Sequence, residues 1–82
     1  DEFGVLDQFL SLLPQCLKPG ARVAILSFHS GEDRRVKKAF QSAERAGIYA
    51  RVAPDPVRPS FEERRANPRS SSAKLRWAVK AR

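Results

Sequence analysis

The chain's only histidine, His29, lies in a polar run, Ser27-Phe28-His29-Ser30-Gly31-Glu32-Asp33-Arg34, at the end of a short apolar segment. Such a junction is where ligands meet open α/β folds, because backbone amides and side chains converge there on a rigid support. Two readings of His29 are open: it polarises or positions a substrate at the edge of a sheet, or it is a strand-end imidazole bonded to a neighbouring backbone group. Ser30 follows it directly, and adjacent residues on an extended strand point to opposite faces, so Ser30 is poorly placed to serve as a nucleophile for His29. Ser30 and Asp33 instead have the spacing of a helix capping box. Arg34, one turn in, is placed to hold phosphate or to pair with Asp33.

A second chemistry-bearing stretch lies near the end of the chain, where Asn67, Arg69, Ser70, Ser72, Lys74 and Arg76 form a donor-rich run. Lys74, Arg76 and Lys80 alternate, so they share one strand face, which suits contact with a phosphate backbone. Trp77 falls on the opposite face and is read as core. The serines and the asparagine could equally tie this loop to the Ser27–Arg34 junction. One cysteine, Cys16, and one histidine are too few for an ordinary zinc site.

Charge points the same way. The formal charge of the 82-residue chain is +7. Positions 64–82 hold seven bases (Arg64, Arg65, Arg69, Lys74, Arg76, Lys80, Arg82) and no acid, whereas positions 1–18 hold three acids and one base. An acid-free basic segment is the footprint of nucleic-acid binding or, more blandly, a solvated face. No apolar run is long enough to span a membrane and no signal-peptide pattern is present, so a cytoplasmic location is expected. With no methionine and an acid at position 1, the chain reads as part of a longer protein.

The elements that must position these groups follow from periodicity. Phe3, Leu6, Leu10, Leu13 and Leu17, with Phe9 and Cys16 beside them, form a helical stripe that Pro14 should kink or end near residue 13. Residues 22–28 carry a continuous apolar run, predicting a strand buried on both faces. Val36, Ala39, Phe40 and Ala43 predict a helix over 31–45 with Gly47 as its stop. A short strand over 48–53 follows, then a Pro-rich loop at 54–59. Ser60-Phe61-Glu62-Glu63 predicts a capped short helix to about residue 66, and 74–80 a half-exposed strand. The order helix, strand, helix, strand, short helix, strand makes the chain a single α/β unit, suited to the closing part of a Rossmann-like sheet whose last strand inserts antiparallel between the two before it.

Three segments carry a resemblance. Leu17–Lys37, containing Ser27-Phe28-His29-Ser30-Gly31-Glu32-Asp33-Arg34, resembles the late portion of the bacterial 16S ribosomal RNA cytosine-N4 methyltransferases, the MraW family. Asn67-Pro68-Arg69-Ser70-Ser71-Ser72-Ala73-Lys74-Leu75-Arg76 is similar to that family's C-terminal Asn-Pro-Arg-Ser-Arg-Ser-Ala-Lys-Leu-Arg signature, and Asp55-Pro56-Val57-Arg58-Pro59-Ser60 with Glu62-Glu63 is the third match. The chain departs from the family pattern at Gly31 (usually leucine), Ala21 (usually glycine) and Ser71 (usually arginine).

The resemblance implies the C-terminal portion of a class I methyltransferase sheet. It implies a parent that transfers a methyl group from S-adenosylmethionine to N4 of a cytidine in small-subunit ribosomal RNA. His29 would lie at the catalytic edge, and Arg34, Asn67, Arg69, Ser70, Lys74 and Arg76 would face RNA. The family's glycine-rich cofactor turn lies upstream of these residues, so no cofactor-binding residue is assigned and this piece alone is expected to be inactive. The alternatives are a stand-alone basic RNA-binding module and a structural piece that completes another chain. An uncovered edge at 22–28 would also invite a homodimer.

Overall fold

The computed structural model describes residues 2–82. Helix α1 (Glu2–Leu12) passes into a 3₁₀ turn at Leu13–Cys16, strand β1 (Arg22–Ser27), helix α2 (Ser30–Arg45) and strand β2 (Tyr49–Val52). A short helix α3 (Phe61–Ala66) and a second 3₁₀ turn at Pro68–Ser72 then lead into strand β3 (Lys74–Lys80). Pro14 sits in the first turn of the 3₁₀ segment, where its missing N–H costs nothing, so it ends α1 at Leu12. Gly20 and Gly47, both at φ near +80°, make the turns before β1 and after α2.

The sheet order is β1-β3-β2, with β3 antiparallel to both neighbours, so β1 and β2 run parallel. This is the insertion expected from the order of elements. Ile25 pairs with Arg76 and Leu26 with Leu75 across β1 and β3. In β2 the register shifts between Tyr49 and Arg51, and the extra residue lets Tyr49 and Val52 face the same layer although three positions separate them. Glu44 accepts a bond from the Val52 amide (3.2 Å), covering part of the β2 edge.

The core lies on one side of the sheet. Leu10 and Leu13 from the first helical segment and Val36 and Phe40 from α2 pack on Tyr49 and Ala78, with Val23, Ile25 and Val52 at the margin. Phe40 and Tyr49 meet edge to face at 5.4 Å. Burying a side chain such as Phe40 is worth about 1.5–3 kcal/mol. Neither α1 nor α2 covers the opposite face, which corrects the expectation that β1 is buried on both sides. Ala24 is exposed and Leu26 is 54% exposed. Trp77, paired with Ala24, stands on that open face outside the core cluster, with the Arg51 guanidinium 5.9 Å from its ring centre.

Gly31 has a packing role that its place in a polar run does not reveal. A Cβ built there would lie 2.9 Å from Cζ of Phe3, so the missing side chain is the room in which the α1 ring sits against the start of α2. Arg35 then covers that ring at 4.3 Å and pairs with Asp7, holding the two helices together.

Candidate nucleic-acid interface at the carboxyl end of β1

Capping geometry at the two helix starts decides where the polar groups go. At α3 the anticipated capping box forms: Ser60 Oγ accepts from the Glu63 amide (3.1 Å) and Glu63 Oε1 accepts from the Ser60 amide (3.4 Å). At α2 it does not. His29 is the N-cap with no side-chain cap bond, Ser30 is the first helical residue, and Asp33 turns inward. There Asp33 accepts from Arg76 twice, Nε to Oδ1 at 2.7 Å and Nη2 to Oδ2 at 3.2 Å, and both residues are only 6% exposed. A buried bidentate pair with a guanidinium outweighs one neutral cap bond. The Arg76 hydrogen bond holds the Asp33 carboxyl below the usual carboxylate range, against the opposing effect of burial.

This pairing revises the placement of the basic face of β3. The strand face bearing Lys74, Arg76 and Lys80 also bears Ala78, which is fully buried, so it is turned to the helix layer rather than to solvent. Arg76 is committed to Asp33 and withdrawn from the surface, and Lys80 donates to the Pro14 carbonyl at 2.6 Å, bracing the 3₁₀ turn. Lys74 stays partly exposed opposite Ser27. Arg34 does not pair with Asp33; it is exposed on α2.

The corner between α3 and β3 is folded on itself. Asn67 Oδ1 accepts from the Arg69 amide (3.2 Å), and Ser70 Oγ donates to the Asn67 carbonyl (2.7 Å). Asn67 and Ser70 therefore tie the corner together, while the tie to the Ser27–Arg34 junction is the Arg76–Asp33 pair. The Pro-rich segment is also fixed, since Val57 and Leu75 exchange both backbone bonds (2.8 and 2.9 Å).

These arrangements leave a cleft of about 560 Å³ beside the carboxyl end of β1. Leu26, Leu75 and Val57, neighbours across three extended segments, form its apolar floor, with Phe28 and Ala73 alongside. Its polar rim comes from Arg58, Glu63, Asn67, Arg69 and Ser70. An apolar floor with an aromatic ring suits a nucleobase face, and a rim of guanidinium and amide donors suits phosphate and base edges. Of the site residues read from sequence, the cleft gathers Asn67, Arg69 and Ser70. His29 follows Phe28 immediately, is exposed, and has no hydrogen bond to its imidazole among the described residues. Leu26, Phe28, Val57 and Arg58 were not singled out as site residues; the signal that could have found Arg58 and Val57 was the Asp55–Ser60 segment, whose composition reads only as a loop.

No cradle for a nucleoside cofactor is present among the described residues. Gly20 precedes β1 and faces the Arg82 guanidinium, Gly47 follows α2, and Gly31 is covered by Phe3, so no glycine turn opens at the carboxyl end of a strand.

A sheet that closes with an antiparallel strand between two parallel ones, with a basic-rimmed cleft at a strand's carboxyl end, suits the closing part of a Rossmann-like sheet. The chain belongs to the MraW methylase family, whose model matches residues 1–81. It is 58% identical over 99% of its length to ribosomal RNA small subunit methyltransferase H 1 of Lachnoclostridium phytofermentans. It is 60% identical over 99% to ribosomal RNA small subunit methyltransferase H 2 of Alkaliphilus metalliredigens. With ribosomal RNA small subunit methyltransferase H of Synechococcus sp. (strain WH7803) it shares 56% over 98%. The chain spans 22%, 23% and 25% of those three proteins, about a quarter of their length.

Proposed function

We propose that this chain forms the closing strands and the substrate-side wall of an S-adenosylmethionine-dependent methyltransferase acting on N4 of a cytidine in small-subunit ribosomal RNA. The cleft between Leu26, Phe28, Val57 and Leu75 is the observation that carries the proposal, because it joins the three family-like segments into one recess with cations at its rim. In this reading the cytidine or its immediate neighbour packs on the apolar floor. Arg58 and Arg69 hold the adjoining phosphates, and His29, next in the chain to Phe28, orients the target base. The methyl donor is held by the three quarters of the relatives' length that this chain does not span.

Calorimetry with the chain tests this directly. A small-subunit rRNA hairpin with an unpaired cytidine binds with strong salt dependence, and S-adenosylmethionine does not bind. Tight S-adenosylmethionine binding overturns the assignment of the cofactor elsewhere. The second reading, a basic RNA-binding module without catalysis, is favoured by the acid-free run of residues 64–82, in which Arg64, Arg65, Arg69 and Arg82 are exposed. It gains if equal affinity for the hairpin survives removal of the unpaired cytidine.

A further inference from the structure

The groove between α1 and α2 is not used by the cleft, and its chemistry is different. It has a volume of about 500 Å³ and is walled by Phe3, Asp7, Gly31 and Arg35, with Arg34 and Lys38 along its margin. Arg35 is already engaged, its guanidinium paired with Asp7 and stacked on Phe3, which also neutralises the one carboxylate of the groove. Arg34 and Lys38 are exposed and enter no ion pair among the described residues. They stand four residues apart, about 6 Å along the helix, where like charges repel and weaken the helix. Lys37, also exposed, adds to that repulsion. An anion held between the two cations removes the penalty.

The groove's position supplies the anion. Phe28 lines the cleft, His29 caps α2, and Arg34 and Lys38 follow on that helix beside the groove, so the segment after β1 connects the two sites. Gly31 leaves room for the Phe3 ring that walls the groove, because a Cβ there would lie 2.9 Å from it. We propose that Arg34 and Lys38 form a second phosphate-contact site, gripping the backbone of the same RNA strand whose base occupies the cleft. This rests on the reading of the cleft as an RNA site.

The test is the salt dependence of binding to the hairpin, read by fluorescence anisotropy. Arg34→Gln with Lys38→Gln is compared with a control of equal charge loss, Lys18→Gln with Arg82→Gln, two exposed cations at the other end of the sheet. Circular dichroism establishes that both variants keep the parent fold. The α2 variant is expected to flatten the slope of log affinity against log salt by between about 1 and 2, the loss of two phosphate contacts. The control is expected to change it by less than half as much. Equal slopes for the two variants, or an unchanged slope for the α2 variant, overturn the phosphate site and leave the cleft reading standing. Absence of salt-dependent binding by the parent chain overturns both.

Discussion

Arg76, in the middle of β3, reaches the first turn of α2 and grips Asp33 through two hydrogen bonds of 2.7 and 3.2 Å in a site from which water is almost excluded. Forty-three positions separate the two residues in the chain. The pair joins the two segments richest in chemistry, the junction that carries His29 and the run that ends in Lys74 and Arg76. The Asp33 amide also donates to the His29 carbonyl at 3.0 Å, so the clamp is one backbone bond from the histidine.

Breaking that clamp from one side should be costly. Asp33→Asn leaves a buried guanidinium without its counter-charge and is expected to cost about 3–5 kcal/mol, measured by urea unfolding. Replacing both partners, Asp33→Leu with Arg76→Met, should restore much of the loss, because the desolvation penalty disappears with the charges. A double variant no more stable than Asp33→Asn would show that the clamp is not governed by charge burial.

The same carboxylate gives the fold a specific acid response. Its pKa is lowered in the folded state relative to the ordinary 3.8, chiefly by the Arg76 hydrogen bond. Its contribution is therefore fully present above the unfolded value and is lost as pH falls through the lower folded one. Unfolding followed between pH 6 and pH 2 should show stability declining below about pH 4 in the parent, while Asp33→Asn shows a shallower decline over the same window. Parallel curves would assign the acid response to other carboxylates.

Tyr49 carries the opposite kind of burial. Its hydroxyl is buried with no hydrogen-bond partner among the described residues, and burial raises its pKa. Tyr49→Phe should keep the edge-to-face contact with Phe40 and leave thermal stability unchanged or higher by up to about 1 kcal/mol. A raised phenol pKa favours the folded state below the unfolded value and loses that contribution as pH climbs through the folded one, so the variant should also resist alkaline unfolding better. A loss of more than 1 kcal/mol would point to a bonded hydroxyl.

The wall of the cleft depends on α3, six residues long and without a buried side chain. Its capping box is accordingly a large share of what holds it. Ser60→Ala should cost about 1 kcal/mol, seen as faster amide exchange confined to Phe61–Ala66, with the core strands protected as before. Unchanged exchange there would mean that the Asn67–Ser70 corner, rather than the cap, fixes the helix.

Much of this architecture was legible in the residues, and the exceptions have physical causes. The stripe ending at Pro14 and the capping box at Ser60 follow from local rules, the antiparallel insertion of residues 74–80 from the order of elements, and each formed as expected. The Ser30–Asp33 box satisfied the same local pattern, but a partner distant in sequence competed for Asp33 and won. Alternation correctly put Lys74, Arg76 and Trp77 on opposite faces. It could not say which face the helices cover, and the reading of Trp77 as core is overturned: the helices cover the basic face, through Ala78, and Trp77 stays outside the core cluster. The cleft was half visible: its polar rim lies in a recognisable motif, whereas Leu26, Phe28 and Val57 become a floor only when three extended segments align.

The central claim is that RNA meets this chain at the carboxyl end of β1. Nuclear magnetic resonance of the labelled chain, titrated with the small-subunit rRNA hairpin, tests it most directly. The account predicts chemical-shift changes concentrated at Leu26, Phe28, Val57, Arg58 and Arg69, with His29 ring signals moving at the same RNA ratio. Changes centred instead on Lys18, Gly20 and Arg82, at the other end of the sheet, would contradict it.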